Sequence, residues 1–183
     1  MDTSMNREAH GQHRATEETE IIVRSGLSKD DKTLDLTAVY LKELGAKDIA
    51  GFEFLKDVTS LELGNNLIGP KGAKYIATSP HLTNLTSLNL FYNKIGNDGA
   101  KFIAFSNNLL SLVNLNLGDN DITDEGAKSL AKFLPLFSNL VRVDLRNNRI
   151  KEEGKKALLE AQKIMELRQL LIDKEEGFQV KTV

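Results

Sequence analysis

The paired histidines His10 and His13 come closest to a metal-binding motif in this sequence. Two imidazoles at this spacing can share one metal ion, but no third ligand of the same kind lies nearby. The remaining histidine, His81, follows a proline in a predicted connection, where we expect it to be exposed to solvent. The chain contains no cysteine, which excludes disulfide bonds, cysteine-ligated zinc and a thiol nucleophile. No nucleophile, base and orienting group converge on one predicted element, so we expect neither an enzyme nor a bound cofactor.

A second candidate is the acidic stretch Asp119–Gly126, whose closely spaced carboxylates suit a calcium ion. Two of its residues, Asn120 and Ile122, nevertheless occupy positions that recur along the chain and are predicted to point inward. Asp124 and Glu125 fit the first turn of a helix, where free backbone N–H groups attract negative charge. We therefore interpret the stretch as a helix start, and we predict no metal site there.

The least expected residues are two neighbouring aromatics, Phe91 and Tyr92, in a chain that is only 6% aromatic. They directly follow a predicted strand. The equivalent positions elsewhere hold small or polar residues, namely Gly64 and Asn65, Gly118 and Asp119, and Arg146 and Asn147. Large side chains flanked by glycine, with an arginine nearby, are typical of the residues that provide most of the affinity at a protein interface. The alternative interpretation is that Phe91 folds down across the glycines and only covers apolar strand.

The overall composition is that of an ordinary folded protein. The 183 residues are 40% hydrophobic and 27% charged, which is enough for one domain with a sizeable core. A net charge of −2 and a pI near 6.0 give no general attraction to nucleic acid or to an anionic membrane, although a local basic patch is compatible with these totals. No apolar run is long enough to span a membrane or to form a signal-peptide core, so we expect synthesis in the cytoplasm and no membrane insertion.

A repeat of 27 residues runs through most of the chain. Equivalent leucines, such as Leu63 and Leu90, lie 27 residues apart. Each complete copy carries two leucines separated by one residue, followed by Asn, Ile, a Gly-Ala pair and a final Ala. In one copy these residues are Leu61, Leu63, Asn66, Ile68, Gly72, Ala73, Ile76 and Ala77. The pattern weakens at both ends, as a stack of repeats requires, because a terminal repeat has one face without a neighbour.

Each copy predicts one short strand followed by one helix. Apolar residues alternate with polar ones around Leu61 and Leu63, a period of two that sends the leucines inward and the intervening residues outward. Gly and Ala at the start of each predicted helix leave room for that helix to lie close to the sheet. The recurring Asn can bond backbone groups of adjacent turns, and it predicts a structural ladder of Asn66, Asn93, Asn120 and Asn148.

These features resemble those of leucine-rich repeat proteins, and the repeat length with its Gly-Ala half resembles the ribonuclease-inhibitor type. The resemblance covers roughly residues 31–173. It implies an α/β solenoid of right-handed β-α repeats, with about five full repeats and a terminal strand. Its parallel sheet is expected on the concave face and its helices on the convex face. Many animal members carry Cys at the Asn position, where this chain has none.

The domain boundaries follow from the extent of the repeat. Residues 28–173 are predicted to form the leucine-rich repeat domain. Residues 1–27 lack apolar periodicity and mix charges, so we expect them to be largely disordered, although Ile21–Val23 could fold over the first repeat as a cap. Residues 174–183 are predicted to form a C-terminal tail.

The resemblance implies a non-catalytic module that binds a partner protein through its concave face. A short, cysteine-free solenoid with a disordered leader also resembles proteins that bacteria deliver into host cells. Two alternatives stay open. The repeat type resembles the GTPase-activating proteins of the Ran system, and the small number of repeats resembles the actin-capping domain of tropomodulin. The residues predicted to bind the partner are Glu62, Asn89, Phe91, Tyr92, Asn116, Asp119, Arg142, Asp144 and Arg146.

Overall fold

The computed structural model describes residues 17–165 and 167–173. Within these residues, six parallel strands form one sheet in sequential order, and a helix follows each of the first five. This arrangement confirms the predicted α/β solenoid. The strands are β1 (Thr33–Asp35), β2 (Ser60–Glu62), β3 (Ser87–Asn89), β4 (Asn114–Asn116), β5 (Arg142–Asp144) and β6 (Gln169–Leu171). The helices are α1 (residues 17–26), α2 (Lys42–Gly51), α3 (Gly69–Ala77), α4 (Gly96–Ala104), α5 (Asp124–Phe133) and α6 (Glu152–Ile164), with short 3-10 helices at Glu53–Leu55 and Leu134–Leu136.

The strands are aligned so that equivalent positions of the repeat lie side by side. Leu61 of β2 pairs with Leu34 of β1 and with Leu88 of β3. Further along, Leu115 of β4 pairs with Val143 of β5. All five side chains are buried. Because a shift of one residue would turn each leucine toward solvent, the alternation of apolar and polar residues fixes this register.

Small residues let the helices pack closely against one another and the sheet. A Cβ added to Gly99 of α4 would lie 2.5 Å from the Cβ of Ile95 and 3.2 Å from the Cβ of Ala73 in α3. Ile103, one turn further along α4, is fully buried in the core. The Gly-Ala pairs therefore set the distance between successive helices. No helix in the described part of the chain is long and apolar enough to cross a membrane.

The recurring asparagines form a ladder of hydrogen bonds that is buried at Asn66, Asn93 and Asn120 and partly buried at Asn148, and Asn93 is typical. Its Oδ1 accepts the backbone N–H groups of Asn66 at 3.0 Å and Ile68 at 3.2 Å. Its Nδ2 donates to the backbone carbonyls of Leu63 at 2.8 Å and Phe91 at 3.1 Å. Each ladder residue thereby satisfies backbone groups of the preceding repeat that no sheet bond reaches. The same arrangement recurs at Asn66, Asn120 and Asn148.

Helix α1 lies in the segment that was expected to be disordered, so that expectation was wrong for these residues. Val23 reaches the core and is fully buried, whereas its neighbours Ile21 and Ile22 are exposed. Val23 thus joins α1 to the core of the first repeat, and the guanidinium of Arg24 lies 4.0 Å from the ring centre of Phe54, in the region where a cap was considered. The rest of the predicted N-terminal segment, residues 1–16, and the predicted tail, residues 174–183, lie outside the described residues.

Candidate functional site

The concave face consists of the outward-pointing residues of the strands and the residues that directly follow each strand. Seven of the nine predicted binding residues line two neighbouring depressions on this face. Tyr92 and Asp119 line neither of them. One depression, of about 150 Å³, is lined by Glu62, Ser87, Leu88, Asn89, Asn114, Leu115, Asn116, Arg142 and Asp144. The other is lined by Phe91, Asn116, Gly118, Asp144, Arg146 and Asn147.

Three polar residues of these linings, Ser87, Asn114 and Asn147, were not among the nine. Ser87 and Asn114 occupy strand positions that alternate with buried leucines, so the period of two already pointed them toward the concave face. Asn147 directly follows an outward strand position, as Tyr92 does in its own repeat. The polar lining is therefore broader than the predicted set.

Asn89 holds Phe91 in place on this face. Its Oδ1 accepts the backbone N–H of Phe91 at 2.9 Å, and its Nδ2 donates to Oε2 of Glu62 at 2.8 Å. Both ends of the Asn89 amide are therefore occupied. In the next repeat, Oδ1 of Asn116 accepts the backbone N–H of Gly118 at 3.0 Å. Within the described residues the Nδ2 of Asn116 makes no hydrogen bond, which leaves a donor available in the depression.

Phe91 and Tyr92 form a tilted pair whose ring centres lie 6.1 Å apart. Phe91 also leans over the neighbouring strand, since a Cβ added to Gly118 would lie 3.2 Å from Cδ2 of Phe91. Phe91 nevertheless stays 39% exposed, and Tyr92 is 42% exposed. Phe91 thus covers Gly118 with part of its ring and presents the rest to solvent. The contact with Gly118 agrees with the covering interpretation, and the role of Phe91 in binding stays a prediction.

The backbone of Tyr92 adopts a left-handed conformation, with φ of 54°. A bulky side chain is unfavourable in this region, whereas Asn and Asp tolerate it. The equivalent residues of the three other central repeats are Asn or Asp at nearly the same angle: Asn65 at 59°, Asp119 at 55° and Asn147 at 60°. Tyr92 therefore occupies a position that the local backbone does not favour for its residue type.

Asp144 lies beneath two arginines rather than on the open surface. Its side chain is only 7% exposed, and its Oδ1 accepts Nε of Arg146 at 3.0 Å. An Nη of Arg142 lies 3.7 Å from the same carboxylate. Burial raises the pKa of Asp144, but hydrogen bonds from Arg146 and the charges of both arginines outweigh burial, so its pKa lies below the ordinary value. The two arginines, which are exposed, are the groups that a ligand can reach.

The repeat in the sequence agrees with a known family. The sequence model described as Leucine Rich repeat matches residues 55–77, 81–104 and 108–131, three consecutive copies of the repeat. The first two segments contain α3 and α4, and the third contains most of α5. The chain contains leucine-rich repeats.

Comparisons of the whole chain with solved structures find neighbours of low sequence identity. No curated protein sequence matches this leucine-rich repeat protein significantly. Among solved structures, one neighbour is described as Leiomodin-1 Actin-Binding Site 2, with 15% identity and a TM-score of 0.49, covering 87% of this chain and 79% of that one. Another is an internalin from Listeria monocytogenes strain 4b F2365, with 21% identity and a TM-score of 0.40, covering 72% of this chain and 38% of that one.

The stretch that suited a calcium ion has a structural role in the leucine-rich repeat domain. Oδ1 of Asp124 accepts the backbone N–H groups of Lys151 at 2.7 Å and Gly154 at 3.0 Å, which belong to the start of the next helix, α6. Asp124 and Glu125 lie in the first turn of α5, as the sequence predicted. The carboxylate of Asp124 nevertheless caps the following helix, α6, and makes no capping bond to α5. In the described residues no cluster of His, Cys, Asp or Glu could hold a metal ion. His10 and His13 lie outside the described residues.

One repeat earlier, Asn97 makes the same contact. Its Oδ1 accepts the backbone N–H groups of Thr123 at 2.9 Å and Gly126 at 3.2 Å, at the start of α5. The equivalent residue in the repeat before that is Pro70, whose side chain has no acceptor. A second series of bonds between repeats therefore runs along the helix starts from Asn97 onward, and sequence analysis missed it.

Proposed function

We propose that the concave face of this leucine-rich repeat protein binds a partner protein through Phe91 and Tyr92, by non-covalent contacts and without catalysis. The observation that carries the proposal is the exposed aromatic pair itself. Tyr92 lies where the other central repeats have Asn or Asp, and its ring lies beside that of Phe91 on the concave face. Its left-handed backbone is shared with other bulky turn residues such as Leu67 and Lys94, so the two exposed rings, and not the strain, point to a binding site.

The two ends of the concave face differ in charge. Its β1–β2 side carries Asp35 and Glu62, whereas on β5 the arginines Arg142 and Arg146 share the single carboxylate of Asp144. An excess of negative charge therefore lies on the β1–β2 side, whereas on the β5–β6 side Asp144 and Asp173 balance the two arginines. A partner with an apolar group over the aromatic pair would fit best with a basic group toward β2.

Affinity capture from cell lysate identifies the partner, and titration calorimetry with the purified partner then tests the site. The test variant combines Phe91→Ala with Tyr92→Asn, which removes both rings and keeps a residue suited to the left-handed backbone. We expect it to weaken binding about 1,000-fold, because two hot-spot aromatics that each contribute about 2 kcal/mol together account for about 4 kcal/mol. Phe105→Ala, which removes an exposed ring from the helical side, is the control and should bind as the wild type does.

Two outcomes separate the possibilities. Equal binding by the double variant and the wild type, with circular dichroism showing both folded, would refute the concave site. Capture of actin or of a small GTPase would support the corresponding alternative role, provided that the double variant loses it. If a small GTPase is captured, acceleration of its GTP hydrolysis would replace simple binding as the function.

A further inference from the structure

A patch of aromatic, aliphatic and basic side chains lies on the helical side, away from the concave face. Phe105 directly follows α4, and its ring centre lies 3.8 Å from that of Phe133 at the end of α5. Leu136 follows in the adjoining 3-10 helix. Phe105 is 49% exposed and Leu136 is 64% exposed, which is unusual for such large apolar side chains. Two lysines, Lys101 and Lys132, complete what we call the Lys-Phe patch.

The lysines lie directly beside the aromatic rings. The Nζ of Lys132 lies 5.1 Å from the ring centre of Phe133, and the Nζ of Lys101 lies 6.0 Å from that of Phe105. These ammonium groups make no ion pair in the described residues. Each long lysine stem can lie along the apolar rings while its charge stays in water. Positive charge and exposed apolar surface therefore lie side by side at the ends of α4 and α5.

The patch lies in a region without acidic residues. Residues 99–118 and 126–143, which contain the ends of α4 and α5 and the connections that follow them, include no Asp or Glu. The neighbouring helix α6 carries Glu152, Glu153 and Glu160, of which Glu153 pairs with Lys128. A protein whose net charge is −2 thus presents a locally positive surface here.

We propose that the Lys-Phe patch binds the surface of an anionic lipid bilayer, with Phe105 and Leu136 entering the headgroup boundary and the lysines contacting anionic headgroups. A bilayer fits because the patch has one sign of charge and exposed apolar side chains beside it, the combination that holds proteins at a membrane interface. The contact is one of the surface only, since no helix in the described residues could span a bilayer. It leaves the concave face free for a partner.

Sedimentation of the full chain with vesicles tests this proposal. The probes are vesicles of phosphatidylcholine alone and vesicles with about 30 mol% phosphatidylserine, in about 0.15 M salt. We expect binding to the anionic vesicles that weakens as salt is added. The variant Lys101→Gln with Lys132→Gln should bind about 25-fold more weakly, because each lysine near such a surface contributes about fivefold. The variant Phe105→Ser with Leu136→Ser should lose more than about tenfold.

The control variant combines Lys94→Gln with Lys151→Gln, which removes the same charge from exposed lysines outside the patch. It should bind as the wild type does. Failure of the wild type to bind anionic vesicles, or an equal loss in the control, would overturn the proposal. Binding to poly-glutamate but not to vesicles would also overturn it and would assign the patch to an acidic protein. Thermal unfolding of all variants shows whether a loss reflects folding instead, and an unfolded patch variant is replaced by its single substitutions.

Discussion

Replacing Asn93 by Ala removes a central member of the asparagine ladder. Asn93 is fully buried, and its Oδ1 is the acceptor for the backbone N–H groups of Asn66 and Ile68. The variant would leave both donors buried without a partner. An unsatisfied buried donor costs about 1–3 kcal/mol, so the pair costs about 2–6 kcal/mol. Since a domain of this size has a stability of roughly 5–15 kcal/mol, the loss is a large part of the total.

Urea unfolding followed by circular dichroism measures this loss, and amide hydrogen exchange locates it. We expect the unfolding midpoint to fall and the amides of Asn66 and Ile68 to exchange faster than those of other repeats. The matched control is Asn107→Ala, at an exposed asparagine outside the ladder, which should change stability by less than about 0.5 kcal/mol. A loss below about 1 kcal/mol for Asn93→Ala, with both amides still protected, would refute the assigned role of the ladder.

Three further variants test other parts of the structure. Asp124→Ala should lower the free energy of unfolding by about 1 kcal/mol in urea, because it removes the cap of α6, whereas Glu125→Ala should have little effect. Tyr92→Asn should raise that free energy by about 1 kcal/mol, because it relieves the left-handed tyrosine, while it weakens partner binding. Asp144→Asn should be destabilising at pH 7. In urea unfolding, the difference in free energy of unfolding between this variant and the wild type should shrink as pH falls below the ordinary carboxyl pKa of about 3.9. The pKa of Asp144 in the folded state lies below this ordinary value. The ionised carboxylate therefore stabilises the fold at pH values above the ordinary pKa, and this stabilisation is lost as pH falls through the folded-state pKa.

The fold could be predicted because its signals are local and repeated. Each copy of the repeat has the same alternation of apolar and polar residues, as around Leu61 and Leu63, and this alternation predicts the strand register. The apolar residues are buried, as the alternation predicts. The asparagine positions were visible for the same reason. Their bonding partners lie about one repeat away, so a fixed period of 27 residues also indicates which turns the ladder joins.

Other features depend on contacts that no local pattern encodes. Helix α1 has one fully buried residue, Val23, and two exposed isoleucines, which leaves no apolar periodicity to detect. The acidic start of α5 was visible, but the capping of α6 by Asp124 joins residues 30 apart and follows only from the packing of the helices. Asp144 occupies an outward strand position, yet the two arginines cover it. Sequence alternation gives the direction of a side chain and not what lies above it.

The central claim is that the concave face meets a partner protein at the aromatic pair. Placing a photo-crosslinking phenylalanine analogue at position 91 or, as the matched comparison, at position 105 tests it in cells. Both positions hold exposed phenylalanines, one on each side of the solenoid. We predict a discrete crosslinked protein from position 91 that is absent from position 105 and disappears when Arg142→Ala and Arg146→Ala are added. No crosslink at position 91, or the same products from both positions, would contradict the claim.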